Sequence, residues 1–243
     1  MRTLTFAKRN FKEIVRDPLN LAFLFGFPVV LLLLLSAIQA NIPVSMFEIE
    51  HLSPGIAVFG LAFMTLFSAT LIAKDRQSSF MHRLYTTPMI PTNFILGYTL
   101  PLIPIAMLEG VVTYMVALIL GLEFGINILI SIILIIPIAL LYIGIGLLCG
   151  SVFNDKQVGG ICGALLTNLS AWFSGIWFDL DLVGGAFKKI SYALPFVHGV
   201  EMHRAAISGN YRDIFPHLLW VLGYAVIAIV IAIYLFLRQM KKQ

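Results

Sequence analysis

Hydrophobic residues are gathered in six long runs along the chain, separated by shorter polar segments. A helix needs about 20 apolar residues, each adding 1.5 Å, to cross the hydrocarbon core of a bilayer. Each run is long enough, so the pattern predicts an all-α integral membrane protein with six transmembrane helices in a single transmembrane domain, 1–243. The predicted spans are residues 19–37, 55–73, 94–120, 126–150, 158–178 and 218–237.

Composition agrees with a membrane protein and argues against a soluble one. The chain is 60% hydrophobic and 12% charged, with a mean hydropathy of +0.96, whereas soluble domains are about a quarter charged. The net charge of +4 is better explained by the placement of Lys and Arg in loops than by nucleic-acid binding. We therefore expect a lipid membrane, and no nucleic acid, among the partners.

The distribution of Lys and Arg predicts the orientation. Twelve of the sixteen Lys and Arg residues lie in segments 1–18, 74–93, 151–157 and 238–243. The connections 38–54 and 121–125 on the other side hold none. Because cytoplasmic loops carry the excess of positive charge, both termini are predicted to be cytoplasmic.

The first 18 residues form a predicted amphipathic elbow helix. One helical face is apolar and the remainder is basic, which is typical of a helix lying in the membrane interface. Asp17-Pro18 is predicted to end this helix, because the residue before proline disfavours helical backbone. A basic tail without membrane contact is the alternative. The apolar positions are Leu4, Ala7, Phe11, Ile14 and Val15.

The connection 74–93 is longer and more polar than a turn requires. Phe80, Met81, Leu84 and Tyr85 have the spacing of one helical face, and polar residues cover the other face. Thr87-Pro88 ends the pattern. The segment is therefore predicted to be a short amphipathic helix, which either rests on lipid or docks in a groove of a partner protein. The spacing alone leaves these two alternatives open.

Glu109 is the only acidic residue deep within a predicted span. A charge there is costly, so an intramembrane acid is by default a candidate functional residue. It could attract a cationic substrate or line a wet cavity. It could equally be protonated, or bonded to Thr113 one helical turn further on.

Several short motifs in order resemble the permease subunit of ABC-2 type transporters, and the resemblance covers nearly all of the chain. In this family, a Glu-containing run often precedes the short cytoplasmic helix, and Asp75 stands for that acid here. A proline common after the fifth span is replaced by Asp179. The motifs are Arg16–Pro18, LYTTPM at 84–89, FNDKQVGG at 153–160, SGIWF at 174–178 and LPFVHGVEMHRAAISG at 194–209.

The resemblance implies that the short helix is a coupling helix seated in a cleft of a separate ATPase. The chain has no G-x-x-x-x-G-K-[ST] sequence, so no P-loop is present to bind nucleotide. We expect no directly bound cofactor or metal, with ATP and Mg on two partner ATPase subunits, and no catalysis by this chain. The coupling residues implied by the resemblance are Asp75, Phe80, Met81, Arg83, Leu84, Tyr85 and Pro88.

The resemblance also implies an outer re-entrant helical hairpin at 179–216, for which a surface loop is the alternative. A second permease copy, identical or related, is expected in a dimer. The expected function is export of a hydrophobic or amphiphilic substrate, such as a drug, peptide or glycolipid, across or out of the cytoplasmic membrane of a prokaryote. The predicted substrate pathway comprises Glu109, Thr113, Trp172, Phe173 and Trp177.

Two other classes are less consistent with the sequence. Ser174-Gly175 and the histidines lack a serine-protease context, because Trp172 stands where the motif needs glycine, and no H-E-x-x-H motif is present. An ion-coupled secondary transporter could use Glu109 as its proton site. Such transporters commonly show internal repeats or paired broken helices, and neither is visible here.

Overall fold

The computed structural model describes residues 2–42, 47–78 and 91–240, and every regular element in these ranges is a helix. The predicted coupling residues Phe80, Met81, Arg83, Leu84, Tyr85 and Pro88 lie outside them. The described helices are α1 (Arg2–Val15), α2 (Pro18–Gln39), α3 (Ile49–Gln77), α4 (Pro91–Ile119), α5 (Ile126–Val152), α6 (155–173), α7 (Leu180–Val183), α8 (Gly185–Ala193), α9 (Pro195–Ile207) and α10 (Tyr211–Met240).

Five of the described helices, α2 to α5 and α10, are long and apolar enough to cross a membrane. The helix α6, in the region of the fifth predicted span, is not among them. It contains a π-helical stretch, Gly159–Leu166, and it ends at Phe173, short of the predicted boundary at Phe178. Turns follow, and Gly175 adopts a positive φ of 71°, which favours glycine because it lacks a Cβ.

The long helices run up and down through one bundle with α3 at its centre. In α3, 89% of the most apolar window is buried, against 17% in α2 and 22% in α10. We call the end that carries α1, Asp75 and Val152 the proximal end. The other end, which carries Gln39, Ile49 and the segment from α7 to α9, is the distal end.

Small residues allow α3 and α5 to pack closely. Gly146 lies against Thr65 and Ser68, and Gly150 lies against Ala69, so a Cβ at either glycine would overlap α3. Such a close approach through small residues four positions apart is common between membrane helices.

The elbow helix α1 lies along α4, and its apolar residues divide into two sets. Ala7 and Ile14 are buried, whereas Leu4, Phe11 and Val15 are exposed. The buried surface also includes Phe6 and Asn10. The contact with α4 therefore decides which residues are covered, and the exposed set forms a separate apolar stripe.

Candidate functional site

The carboxylate of Asp75, in the last turn of α3, forms a bidentate ion pair with Arg9 of α1. Arg9 Nη1 lies 2.7 Å from Asp75 Oδ2, and Arg9 Nη2 lies 2.8 Å from Oδ1. The Asp75 side chain is 3% exposed and that of Arg9 is 37% exposed. Paired N–H donors on a carboxylate fix both distance and orientation, so this contact holds α1 against the end of α3.

Tyr98 of α4 adds a third hydrogen bond to the same carboxylate. Its hydroxyl donates to Asp75 Oδ2 at 2.8 Å. The Tyr98 ring is fully buried and packs edge-on against Phe6, with ring centroids 5.0 Å apart. Residues Arg9, Asp75 and Tyr98 therefore join α1, α3 and α4 at one point, and we call them the Asp75 cluster.

This arrangement favours the charged form of the Arg9 guanidinium. Burial opposes the charged form, but the hydrogen bond and the charge of Asp75 raise the pKa of Arg9 above its ordinary value. Glu13, one turn along α1, also lies 2.8 Å from Arg9. The pair with Asp75 is therefore ionic, and its strength depends on how far water screens the half-buried guanidinium.

Glycine 97 allows α1 to approach α4 closely enough for the cluster to form. A Cβ at Gly97 would overlap the ring of Phe6. Asn10 donates a buried hydrogen bond of 2.9 Å from its side chain to the Gly97 carbonyl. Such bonds satisfy polar groups that would otherwise be costly to bury, and they fix the register of the two helices.

Arg76 holds the C-terminal end of α3 against α5. Its Nη1 donates to the Gly150 carbonyl at 2.6 Å, near the C-terminus of α5. The last turn of α3 is therefore held by Asp75 on one side and by Arg76 on the other. Both contacts therefore lie at the start of the predicted connection 74–93.

Glu109 lies in the interior of the bundle, where α4 faces α3 and α2. Its side chain is fully buried, and Thr113 Oγ1 donates to Glu109 Oε1 at 3.0 Å. The second oxygen, Oε2, has no hydrogen-bond partner among the described residues. Gly60 of α3 provides the space for the carboxylate, because a Cβ there would overlap it. The hydrogen bond with Thr113 that was considered from sequence is present.

The three aromatic residues assigned to the substrate pathway lie around the C-terminal end of α6. Trp172 is 52% exposed. Phe173 stacks on Phe187 of α8 at 4.9 Å, and Trp177 packs edge-on against Phe59 of α3 at 5.7 Å. Glu109 and Thr113 instead face the bundle interior, and the assignment of all five residues to one pathway stays a prediction.

At the distal end, an open cleft of about 520 Å³ lies between α3, α9 and α10. Arg204 forms part of the cleft wall. Its Nη1 lies 2.9 Å from Glu201 Oε1, and its Nη2 donates to the Gly175 carbonyl at 3.0 Å. The cleft was not foreseen from the sequence, because its walls come from segments far apart in the chain. Its charged and titratable lining residues are Glu48, Glu50, His51, Glu201, Arg204, Asp213 and His217.

Comparison with known families decides the identity of this helical bundle. A family model described as ABC-2 type transporter matches residues 1–207, which run from α1 to α9. The chain belongs to the ABC-2 type transporter family. It is thus the permease, the membrane component, of an ABC-type transporter. A search among curated proteins found no matching sequence.

Within this ABC-2 permease, sequence reasoning selected Asp75 but missed its partners. Arg9 was counted only among the basic residues of segment 1–18, which set the orientation and form the polar face of the elbow helix, and Tyr98 was taken as part of an apolar span. The Arg9–Glu13 spacing is visible in the sequence as a helical i, i+4 pair. No sequence signal connects Arg9 with Asp75, because 66 positions separate them.

Proposed function

We propose that the chain is the transmembrane permease subunit of an ATP-driven ABC-2 exporter. The observation that carries this proposal is the Asp75 cluster, which fixes α3 to α1 and α4 at the start of the connection 74–93. A partner ATPase that displaced this connection would then move three helices together. Membership of the ABC-2 family supports an ATPase as that partner.

The position of α3 explains how such a movement would reach the transport path. This helix is the most buried of the apolar helices, and it contacts α2, α4, α5 and α9. Packed helices transmit displacement because protein interiors are close-packed and resist compression. Displacement of α3 at Asp75 would therefore be transmitted to Gly60 and Glu109 in the interior and to His51 at the distal end.

The remaining features of the proposal follow from the same family and from the charge pattern. The chain acts with two ATPase subunits, which bind ATP and Mg, and with a second permease copy, identical or related. It spans the cytoplasmic membrane of a prokaryote six times, with α6 as the fifth span and with both termini inside. Its substrate is hydrophobic or amphiphilic, such as a drug, peptide or glycolipid.

The proposed outer hairpin corresponds to α7, α8 and α9. Helix α9 packs against α3, α5 and α10, and ten of its residues, from Pro195 to Ala206, are buried. Non-helical backbone at membrane depth is tolerated where protein covers it. This burial supports a re-entrant hairpin over a loop lying on the surface.

The alternative function is ion-coupled secondary transport through Glu109. The observation in its favour is that Oε2 of Glu109 has no hydrogen-bond partner among the described residues, since a carboxyl oxygen in this position can carry a proton. Its complete burial is the observation against it, because a transported ion must reach the carboxylate from one side of the membrane and then the other.

The decisive experiment is purification of the tagged chain from its native membrane, followed by reconstitution in proteoliposomes. An ABC ATPase should co-purify, and transport of a lipophilic dye should require ATP and Mg without a proton gradient. Transport by the chain alone, driven by a pH gradient and absent in Glu109→Gln, would instead establish the alternative. A chain that neither retains an ATPase nor moves dye under ATP would refute the exporter proposal.

A further inference from the structure

Two histidines form a direct contact between α9 and α10 at the distal end. His198 Nδ1 lies 2.7 Å from His217 Nδ1. The other ring nitrogen of His198, Nε2, lies 3.0 Å from the carbonyl oxygen of Tyr192. The indole of Trp220 stacks on the His198 ring at 4.9 Å with an interplanar angle of 12°. His198 is 5% exposed and therefore shielded from water, whereas His217 is only partly buried.

These contacts determine where the protons lie in the neutral pair. A carbonyl oxygen only accepts hydrogen bonds, so the Nε2 of His198 must carry a hydrogen. Its Nδ1 then has a free lone pair, because a neutral imidazole carries one hydrogen. It follows that His217 Nδ1 carries a hydrogen and donates it to His198 Nδ1. The remaining lone pair of His217 is on Nε2.

The neutral pair is therefore ready to accept one proton without losing its hydrogen bond. The proton binds the His217 Nε2 lone pair, and Nδ1–H of the resulting imidazolium still points at His198. Hydrogen bonds from a charged donor are roughly twice as strong as neutral ones. A second proton would have to displace the bond, since it could bind only at His198 Nδ1.

The surroundings favour a single positive charge. His217 lines the distal cleft, from which water can deliver the proton, and the carboxylates of Glu201 and Asp213 line the same cleft. Only Nε2 of His217 has a lone pair outside the Nδ1–Nδ1 contact, so His217 is the site of uptake. Burial lowers the pKa of His198 below its ordinary value. The other charged or titratable groups around the pair are Glu48, Glu50, His51, Arg204 and Tyr192.

We propose that His198 and His217 form a proton-binding site, which takes up one proton from the distal cleft at His217 Nε2 and shares the resulting positive charge across the Nδ1–Nδ1 contact. Uptake tightens the joint between α9 and α10, because the hydrogen bond becomes charge-assisted. Mild acid on the distal side thus stabilises this joint, and stronger acid breaks it. The site depends only on the described side chains and not on the exporter proposal.

Trp220 provides a local readout of the shared charge. The chain has three tryptophans, so Trp172→Phe and Trp177→Phe together leave Trp220 as the single tryptophan, which is excited selectively at wavelengths that tyrosine does not absorb. A positive charge in the stacked histidine pair quenches indole fluorescence. Titration of this protein in nanodiscs between about pH 8 and pH 5, around the ordinary histidine pKa, should show a loss of emission with one midpoint.

The sign of the shift in a His217 variant tests the sharing. His217→Asn keeps a side-chain donor for His198 but cannot carry the proton. The midpoint should then fall by up to about one pH unit, the equivalent of the extra strength of a charge-assisted hydrogen bond. In His217→Phe the midpoint should also fall. In His198→Phe the ring stacked on Trp220 can no longer carry charge, so the loss of emission on acidification should be smaller than in the parent protein.

His51→Gln is the matched control, because His51 lines the same cleft outside the histidine pair, and its midpoint should equal that of the parent protein. A midpoint that rises or stays constant in both His217 variants would overturn the proposal, since removal of a merely neutral hydrogen bond raises the proton affinity of His198. Emission that does not change with pH in the parent protein would overturn it as well.

Discussion

Gly60 of α3 and Glu109 of α4 face each other so closely that a methyl group at Gly60 would overlap the Glu109 carboxylate. The glycine therefore provides the space in which an intramembrane acid is accommodated. This relationship connects the most buried helix of the bundle with the acid singled out from sequence, and it leads to the first two predictions.

Gly60→Ala should destabilise the permease by about 1–3 kcal/mol, the usual cost of overpacking a well-filled interior. The double variant Gly60→Ala/Glu109→Ala should lose less than the sum of the single variants, because removal of the carboxylate frees the space. Pro28 also lies near this position, so some cost should remain. Thermal unfolding of the four proteins in detergent gives the coupling energy, and strict additivity would contradict the packing relationship.

Glu109→Gln should reduce transport of cationic and neutral substrates by the same factor. Glu109 is fully buried and accepts a hydrogen bond from Thr113, so its effect is exerted on helix packing and not on the charge of the cargo. Uptake of matched cationic and neutral dyes into inverted vesicles is the measurement. A selective loss for cations would return Glu109 to the role of a substrate-sensing acid.

Asp75→Asn should destabilise the junction of α1, α3 and α4 by about 2 kcal/mol, less than for a fully buried ion pair because Arg9 retains water contact. Substrate-stimulated ATP hydrolysis should fall together with stability, since the last turn of α3, which leads into the predicted coupling helix, is then held less firmly against α1 and α4. Glu13→Gln is the matched control: it removes only the i, i+4 partner of Arg9, which is worth about 0.3 kcal/mol. Equal effects of the two variants would contradict the assigned role of the cluster.

Leu84→Ala should weaken association with the ATPase by at least about tenfold, since truncating an interface anchor exceeds 1.4 kcal/mol. The permease should still insert and fold, because the predicted coupling helix lies outside the bilayer. Arg83→Ala should have a smaller effect, as a rim charge mainly alters the encounter rate and salt dependence. Pull-down of the ATPase in detergent provides the comparison, and undiminished binding by Leu84→Ala would leave this helix as a lipid-facing one.

Cysteines introduced at Glu48 and Gly184 should react with an impermeant thiol reagent added to intact cells, whereas one at Gln77 should not. The expectation rests on the positive-inside rule and on the positions of these residues at opposite ends of the bundle. The native Cys149 and Cys162 are buried, so their background should be low. Strong labelling at Gln77 would reverse the orientation and place the coupling segment outside.

The sequence by itself determined the elements of this protein that depend on local composition. Apolar runs predicted a helical membrane protein, because backbone groups in lipid must be satisfied within each segment. Five of those runs are helices long and apolar enough to span a membrane. The ordered motifs, ending at Leu194–Gly209, identified the ABC-2 family before any contact was known, and the family match confirms this.

Only the tertiary structure decided which of these elements meet. Arg9 and Asp75 are 66 positions apart, and His198 and His217 belong to different helices, so no periodicity in the sequence could pair them. The face of α1 that is buried was likewise set by α4, where Gly97 admits Phe6. The physical reason is that hydropathy ranks residues by their preference for lipid or water, whereas hydrogen bonds, ion pairs and close packing depend on the distances between helices. Those distances are fixed by how all of the helices pack together.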